Sequence, residues 1–144
     1  GVLHRLGRLP DVVERALEQL VGTLGEADRV TIADGVPRSE VPGLLAAADV
    51  LVNNMRSGAT DKVVYEAAAT CMPVLASNPA LDTLLTPELR FERDDPDTLA
   101  ARIRELTTVD RPAIGRRLRE GVERHHGVEG WAGRVVEVAQ GRRP

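Results

Sequence analysis

Three short apolar runs constrain this chain most: Val30-Thr31-Ile32-Ala33, Val50-Leu51-Val52 and Pro73-Val74-Leu75-Ala76. Each is too short for a helix and apolar throughout, the pattern of strands buried on both faces. Between and around them, apolar residues recur at helical spacing. Val13, Ala16, Leu17, Leu20 and Leu24 follow Pro10, a good first-turn residue. Val41, Leu44, Leu45 and Ala48 follow Ser39, a candidate cap. Val63, Val64, Ala67 and Ala68 belong to a third helix, running from Thr60 to Cys71. A short helix is expected from Ala80 to Leu85, then an edge strand from Leu89 to Glu92. The tail is helical: Leu99, Ile103 and Leu106, then Ile114, Leu118 and Val122, then Val128, Trp131, Val135 and Val138. Strands alternating with amphipathic helices predict an α/β fold, a parallel sheet with helices on both faces. The 144 residues suit a single domain over residues 1–144, with 107–144 as C-terminal helices.

Composition removes several functional classes. Aromatic residues are 2%, too few to build stacking platforms for single-stranded nucleic acid. A net charge of −3 gives no basic face for a duplex. No apolar run approaches the roughly 20 residues of a membrane span. The one cysteine, Cys71, cannot form an intrachain disulfide, which fits the cytoplasm.

In a parallel sheet, ligands gather at the carboxyl ends of strands, where loops lead into helix N-termini. The loop from Asn53 to Thr60 has that position, and Asn53, Asn54, Arg56, Ser57 and Thr60 make it rich in donors. It ends at Lys62, the only lysine among 19 Lys and Arg residues. A helix N-terminus with a flexible ammonium beside it suits a phosphate. The alternative is a solvated surface lysine, and Glu66, four residues on, could simply pair with it along the helix.

The order of motifs adds a resemblance. The run DRVTIADGVPRSEVPGLLAAADVLV, the turn from Gly58 to Lys62, and YEAAATCMPVLASN resemble glycosyltransferase family 4, from about Asp28 to Leu106. Glu66-Ala67, Pro73-Val74 and Ser77-Asn78 are the most specific elements. The resemblance implies the Rossmann-like C-terminal lobe of a GT-B fold, which binds a nucleotide-diphosphosugar donor in a retaining enzyme. It implies that Glu66 accepts hydrogen bonds from ribose hydroxyls. The backbone N–H groups of Asp61, Lys62 and Val63 would hold the pyrophosphate, and the turn Gly35-Val36-Pro37 would lie against the base. Lys62 would stabilise the leaving diphosphate, with Gly58 and Thr60 also against the donor. No cofactor or metal is implied.

Departures from the family pattern sharpen the expectations. Two glutamates separated by seven residues are usual, and Gly58 stands at the position of the first. The pair Asp61-Lys62 occurs in a subset of the family. Cys71 replaces a usual glycine, so a left-handed backbone there would cost about 1–2 kcal/mol. Gly7-Arg8 only faintly echoes the family's opening Gly-Arg segment, and no lysine follows. By that comparison the opening strand–helix–strand unit and the acceptor-binding lobe are missing, so the expectation is a fragment, a proteolytic remnant or a split-enzyme subunit. A bare sheet edge would then favour homo-oligomers. His4 lies in an irregular start, and His125-His126 suit a favourable interaction at a helix end. The alternatives to a donor-binding lobe are a non-catalytic nucleotide- or partner-binding lobe and, third, a sugar-nucleotide epimerase.

Overall fold

The computed structural model describes residues 36–58 and 60–142, together with Arg15, Ala16, Gln19, Leu20, Gly22, Thr23, Gly25 and residues 28–31. The chain divides into two compact units, residues 1–46 and 47–144. In the first, Ala16 and Leu20 are helical, while Val13, Leu17 and Leu24 of the same expected stripe lie outside the described residues. Val30 and Thr31 carry no strand, and Ile32 and Ala33 are outside the described residues. Helix α1 (Val41–Ala47) begins two residues after Ser39, which sits in the preceding turn rather than at the cap.

The second unit is built on a parallel strand–helix–strand. Strand β1 (Leu51–Asn53) pairs with β2 (Val74–Ala76), Leu51 opposite Val74 and Asn53 opposite Ala76. Parallel neighbours need a crossover, and α2 (Lys62–Ala69) supplies it. Its buried residues are Val63, Val64, Ala67 and Ala68, the stripe read from the sequence. All of β2 is buried. The expected edge strand at Leu89–Glu92 is reduced to one bridge, Arg90 opposite Ala76. Pro87–Leu89 forms a 3-10 turn instead. The outer side of that bridge is not bare: Arg102 Nε donates to the Arg90 carbonyl at 2.9 Å, and the Glu92 N–H donates to Thr98 Oγ1 at 3.2 Å. The helix expected at Ala80–Leu85 is likewise a single 3-10 turn, Pro79–Leu81, capped by Asn78.

The tail forms α3 (Pro96–Leu106), α4 (Arg111–His126) and α5 (Val128–Ala139). Aspartates start two of them. Asp95 accepts from Asp97 and Thr98 N–H at 2.9 and 3.1 Å, and Asp110 accepts from Ala113 N–H at 3.0 Å.

Helix α4 packs along α2, with Leu118 buried and Tyr65 stacked at a tilt on His126, ring centroids 4.4 Å apart. The two helices meet most closely at Gly115, where an added Cβ would fall 1.9 Å from the Cys71 carbonyl oxygen. That contact depends on how α2 ends. The helix stops at Ala69 with Thr70 as C-cap, two residues before the expected end at Cys71. Cys71 N–H then bonds Ala68 O and Met72 N–H bonds Ala67 O, both at 3.1 Å. This reciprocal closure requires a left-handed residue, and Cys71 has φ 62°. The family's glycine position therefore keeps its backbone here without the glycine.

Candidate functional site

The carboxyl end of β1 turns into α2 through residues 54–61. Asn53 is 7% exposed and, among the described residues, its Oδ1 is buried with no hydrogen-bond partner. Gly58 is exposed and holds φ 129°, a conformation open to glycine and costly for a side chain. This is a physical reason for the missing carboxylate: a glutamate would be strained there.

Asp61 caps α2, its Oδ1 accepting from the Val63 N–H at a long 3.4 Å. Of the N–H groups expected to hold a pyrophosphate, that of Val63 is thus loosely occupied by the protein's own carboxylate. An anionic ligand would have to displace Asp61 or share the helix end with it. Lys62 is exposed on the first turn of α2, and Glu66, one turn on, is half-buried. Thr60 is half-buried just before the cap. These residues share one helix end. The turn at Val36-Pro37 belongs to the other unit, and Gly35 lies outside the described residues. Pro37 is exposed, its carbonyl accepting from the Glu40 N–H at 2.9 Å.

The sequence reading passed over a connection between loops. Asn54 Nδ2 donates to Asp94 Oδ1 at 2.9 Å, and the Asp94 N–H donates to Asn54 Oδ1 at 3.2 Å. Ser77 Oγ lies 3.2 Å from both Asn54 Oδ1 and the Met55 carbonyl. Ser77 and Asn54 each stood in a quoted motif or loop; Asp94, 40 residues from Asn54, carried no signal of its own. Ser77 also borders an open cleft of about 440 Å³, lined further by Asp82, Arg90, Phe91, Thr98 and Arg102. None of the expected donor-binding residues lines that cleft. Its cations are engaged, Arg90 with Asp82 and Arg102 with Glu105 at 2.7 Å.

A parallel strand–helix–strand with a polar loop at the carboxyl end of its first strand is a Rossmann-like α/β unit, and structural similarity makes it one of the GT-B type. Residues 3–108 match the family Glycosyl transferases group 1, and the chain belongs to that family. The match begins well before Asp28, so the opening segment belongs to the family region as well. Sucrose-phosphate synthase from Thermosynechococcus elongatus is similar in structure, at 25% identity and a TM-score of 0.81 over 96% of this chain. The chain spans only 37% of that protein. The catalytic domain of cholesterol-alpha-glucosyltransferase from Helicobacter pylori shares the fold, at 17% identity and a TM-score of 0.73, over 86% of this chain and 79% of that one. No curated protein sequence matches. Among the described residues, no helix is long and apolar enough to cross a membrane.

Proposed function

We propose that residues 1–144 act as one donor-binding domain of a retaining glycosyltransferase, which moves a sugar from a nucleotide-diphosphosugar to an acceptor. The observation that carries this reading is the start of α2, where Lys62 and Glu66 stand one turn apart beside the loop at the carboxyl end of β1. In the proposed reaction the bond between the anomeric carbon and the diphosphate oxygen breaks as the acceptor's nucleophilic atom bonds to that carbon, and the electron pair leaves with the diphosphate, which takes up the acceptor's proton. Lys62 and the first-turn N–H groups, that of Val63 once the diphosphate displaces Asp61, stabilise that developing charge. Glu66 accepts from two ribose hydroxyls. No side chain of this chain is given the role of base or nucleophile, and no metal or cofactor is given a role. The acceptor is held by a further lobe or partner subunit. A cytoplasmic location and self-association of the isolated chain complete the proposal.

Calorimetry with nucleoside diphosphates tests it. Lys62→Ala is expected to fold normally and to lose at least tenfold in affinity, the equivalent of a charge-assisted contact of about 1.5–3 kcal/mol. Equal affinity in the two folded proteins would make Lys62 an ordinary surface lysine. The second reading, a lobe that binds nucleotide or a partner without turnover, is favoured by Gly58, whose positive φ would strain the usual glutamate. Binding without transfer in the presence of an acceptor lobe would select it. The epimerase alternative has no separate observation in its favour.

A further inference from the structure

We infer that Asn54 is a positioning residue, the centre of a clasp that holds the loop leading into α2. Its consequence for the donor rests on the reading proposed above. Three segments distant in sequence meet at this one carboxamide: the end of β1, Ser77 after β2, and Asp94 before α3. Both ends of the amide are used. Nδ2 donates to Asp94 Oδ1 at 2.9 Å, and Oδ1 accepts from the Asp94 N–H and from Ser77 Oγ, each at 3.2 Å. The partners fix the orientation, because a flipped amide would set its oxygen against a carboxylate and its NH₂ against an N–H.

Asp94 is held left-handed at φ 59°, and its second oxygen pairs with Arg93 at 2.8 Å. Aspartate tolerates that backbone better than most residues, and the conformation presents both its N–H and its carboxylate to Asn54. Met55, Arg56, Ser57 and Gly58 are all exposed. Among the described residues, the Ser77 contact to the Met55 carbonyl is the one hydrogen bond that holds this stretch. The clasp therefore fixes where the loop leaves the sheet and the approach to Asp61 and Lys62. Its members are largely exposed, so it is a tether for the loop more than a support of the core.

The chemistry specifies its own test. Asn54→Asp is nearly isosteric but places two carboxylates against each other. The exchange Asn54→Asp with Asp94→Asn restores a donor and an acceptor at every contact, and asparagine also accepts a left-handed backbone. Trypsin cleavage after Arg56, followed by mass spectrometry, reads the loop without any ligand. Cleavage is expected to rise about tenfold in Asn54→Asp, with the thermal midpoint little changed, and to return to wild-type level in the double exchange. Cleavage unchanged in the single variant, or not restored in the double one, would overturn the clasp. Calorimetry with ADP, GDP and UDP reads the consequence. The single variant is expected to bind at least fivefold more weakly, and the double exchange to recover. Wild-type affinity in a single variant with a loosened loop would overturn the positioning role. A wild-type chain that binds none of the three would sink the donor reading and the positioning role with it, leaving the protease result to decide the clasp.

Discussion

Cys71 is a single residue held in a strained backbone conformation. The turn that ends α2 needs a left-handed backbone, and Cys71 adopts it at φ 62°. Its thiol is half-buried, so part of the strain is offset by packing. Cys71→Gly removes the strain and is expected to raise stability by about 0.5–1 kcal/mol, after the greater entropy of glycine in the unfolded chain is subtracted. Cys71→Ala keeps the strain and should gain nothing. Urea unfolding of the three proteins compares them directly, and a glycine variant no more stable than the alanine one would remove strain from the account. The need for a positive φ was legible before the fold, because a cysteine replaced the family's glycine. The hydrogen bonds that impose it were not.

Among elements, the decisive contact is α2 against α4. Gly115 reads in sequence as a weak point inside a helix, yet it allows the Cys71 carbonyl to approach to where a Cβ would stand at 1.9 Å. Backbone, not a flexible side chain, occupies that space. Gly115→Ala is therefore expected to cost about 2–3 kcal/mol despite the better helix propensity of alanine, read as a lower urea midpoint. A neutral or stabilising effect would mean that the two helices can separate freely.

The same interface contains a pH dependence. Burial, with the charges of His125 and Arg134, lowers the pKa of His126 below its ordinary value of 6.5. The folded state thus binds a proton less readily than the unfolded one. The contribution is complete above pH 6.5 and is lost as pH falls from there through the folded pKa. His126→Gln should flatten the fall in urea midpoint between pH 7.5 and 5.5. An unchanged slope would assign the effect elsewhere. The helix-end position of His126 was foreseen; its apolar neighbour Tyr65 and the cost of charging it came only from packing.

At the scale of the molecule, α5 leaves one apolar stripe in solvent: Val128, Trp131, Val135 and Val138, with Trp131 60% exposed. No residue of α5 is buried. Exposed apolar surface of this kind favours association, so the isolated chain is expected to sediment as a dimer or larger at micromolar concentration. Trp131→Glu should shift it toward monomer. A wild-type monomer would show that the stripe is too weak to associate by itself. The sheet edge at Arg90 is less open to a second copy, because Arg102 and Thr98 fill its outer side.

What the amino-acid sequence determined by itself is what depends on neighbours within a turn or two. The apolar stripe of α2, the three tail helices, and the β1 and β2 runs all follow from the local apolar pattern. Family membership was legible for the same reason, since its motif lies in one continuous stretch around Glu66. Tertiary structure decided what depends on residues far apart. Phe91 N–H reaches Ala76 O at 3.3 Å, yet the expected edge strand forms only one bridge. Pairing of that kind is set by where the chain can close, not by the β propensity of the run itself. The meeting of Asn54 with Asp94 and of Gly115 with Cys71 has the same origin: the sequence places these residues 40 or more positions apart, and only the packed helices and loops bring them within contact.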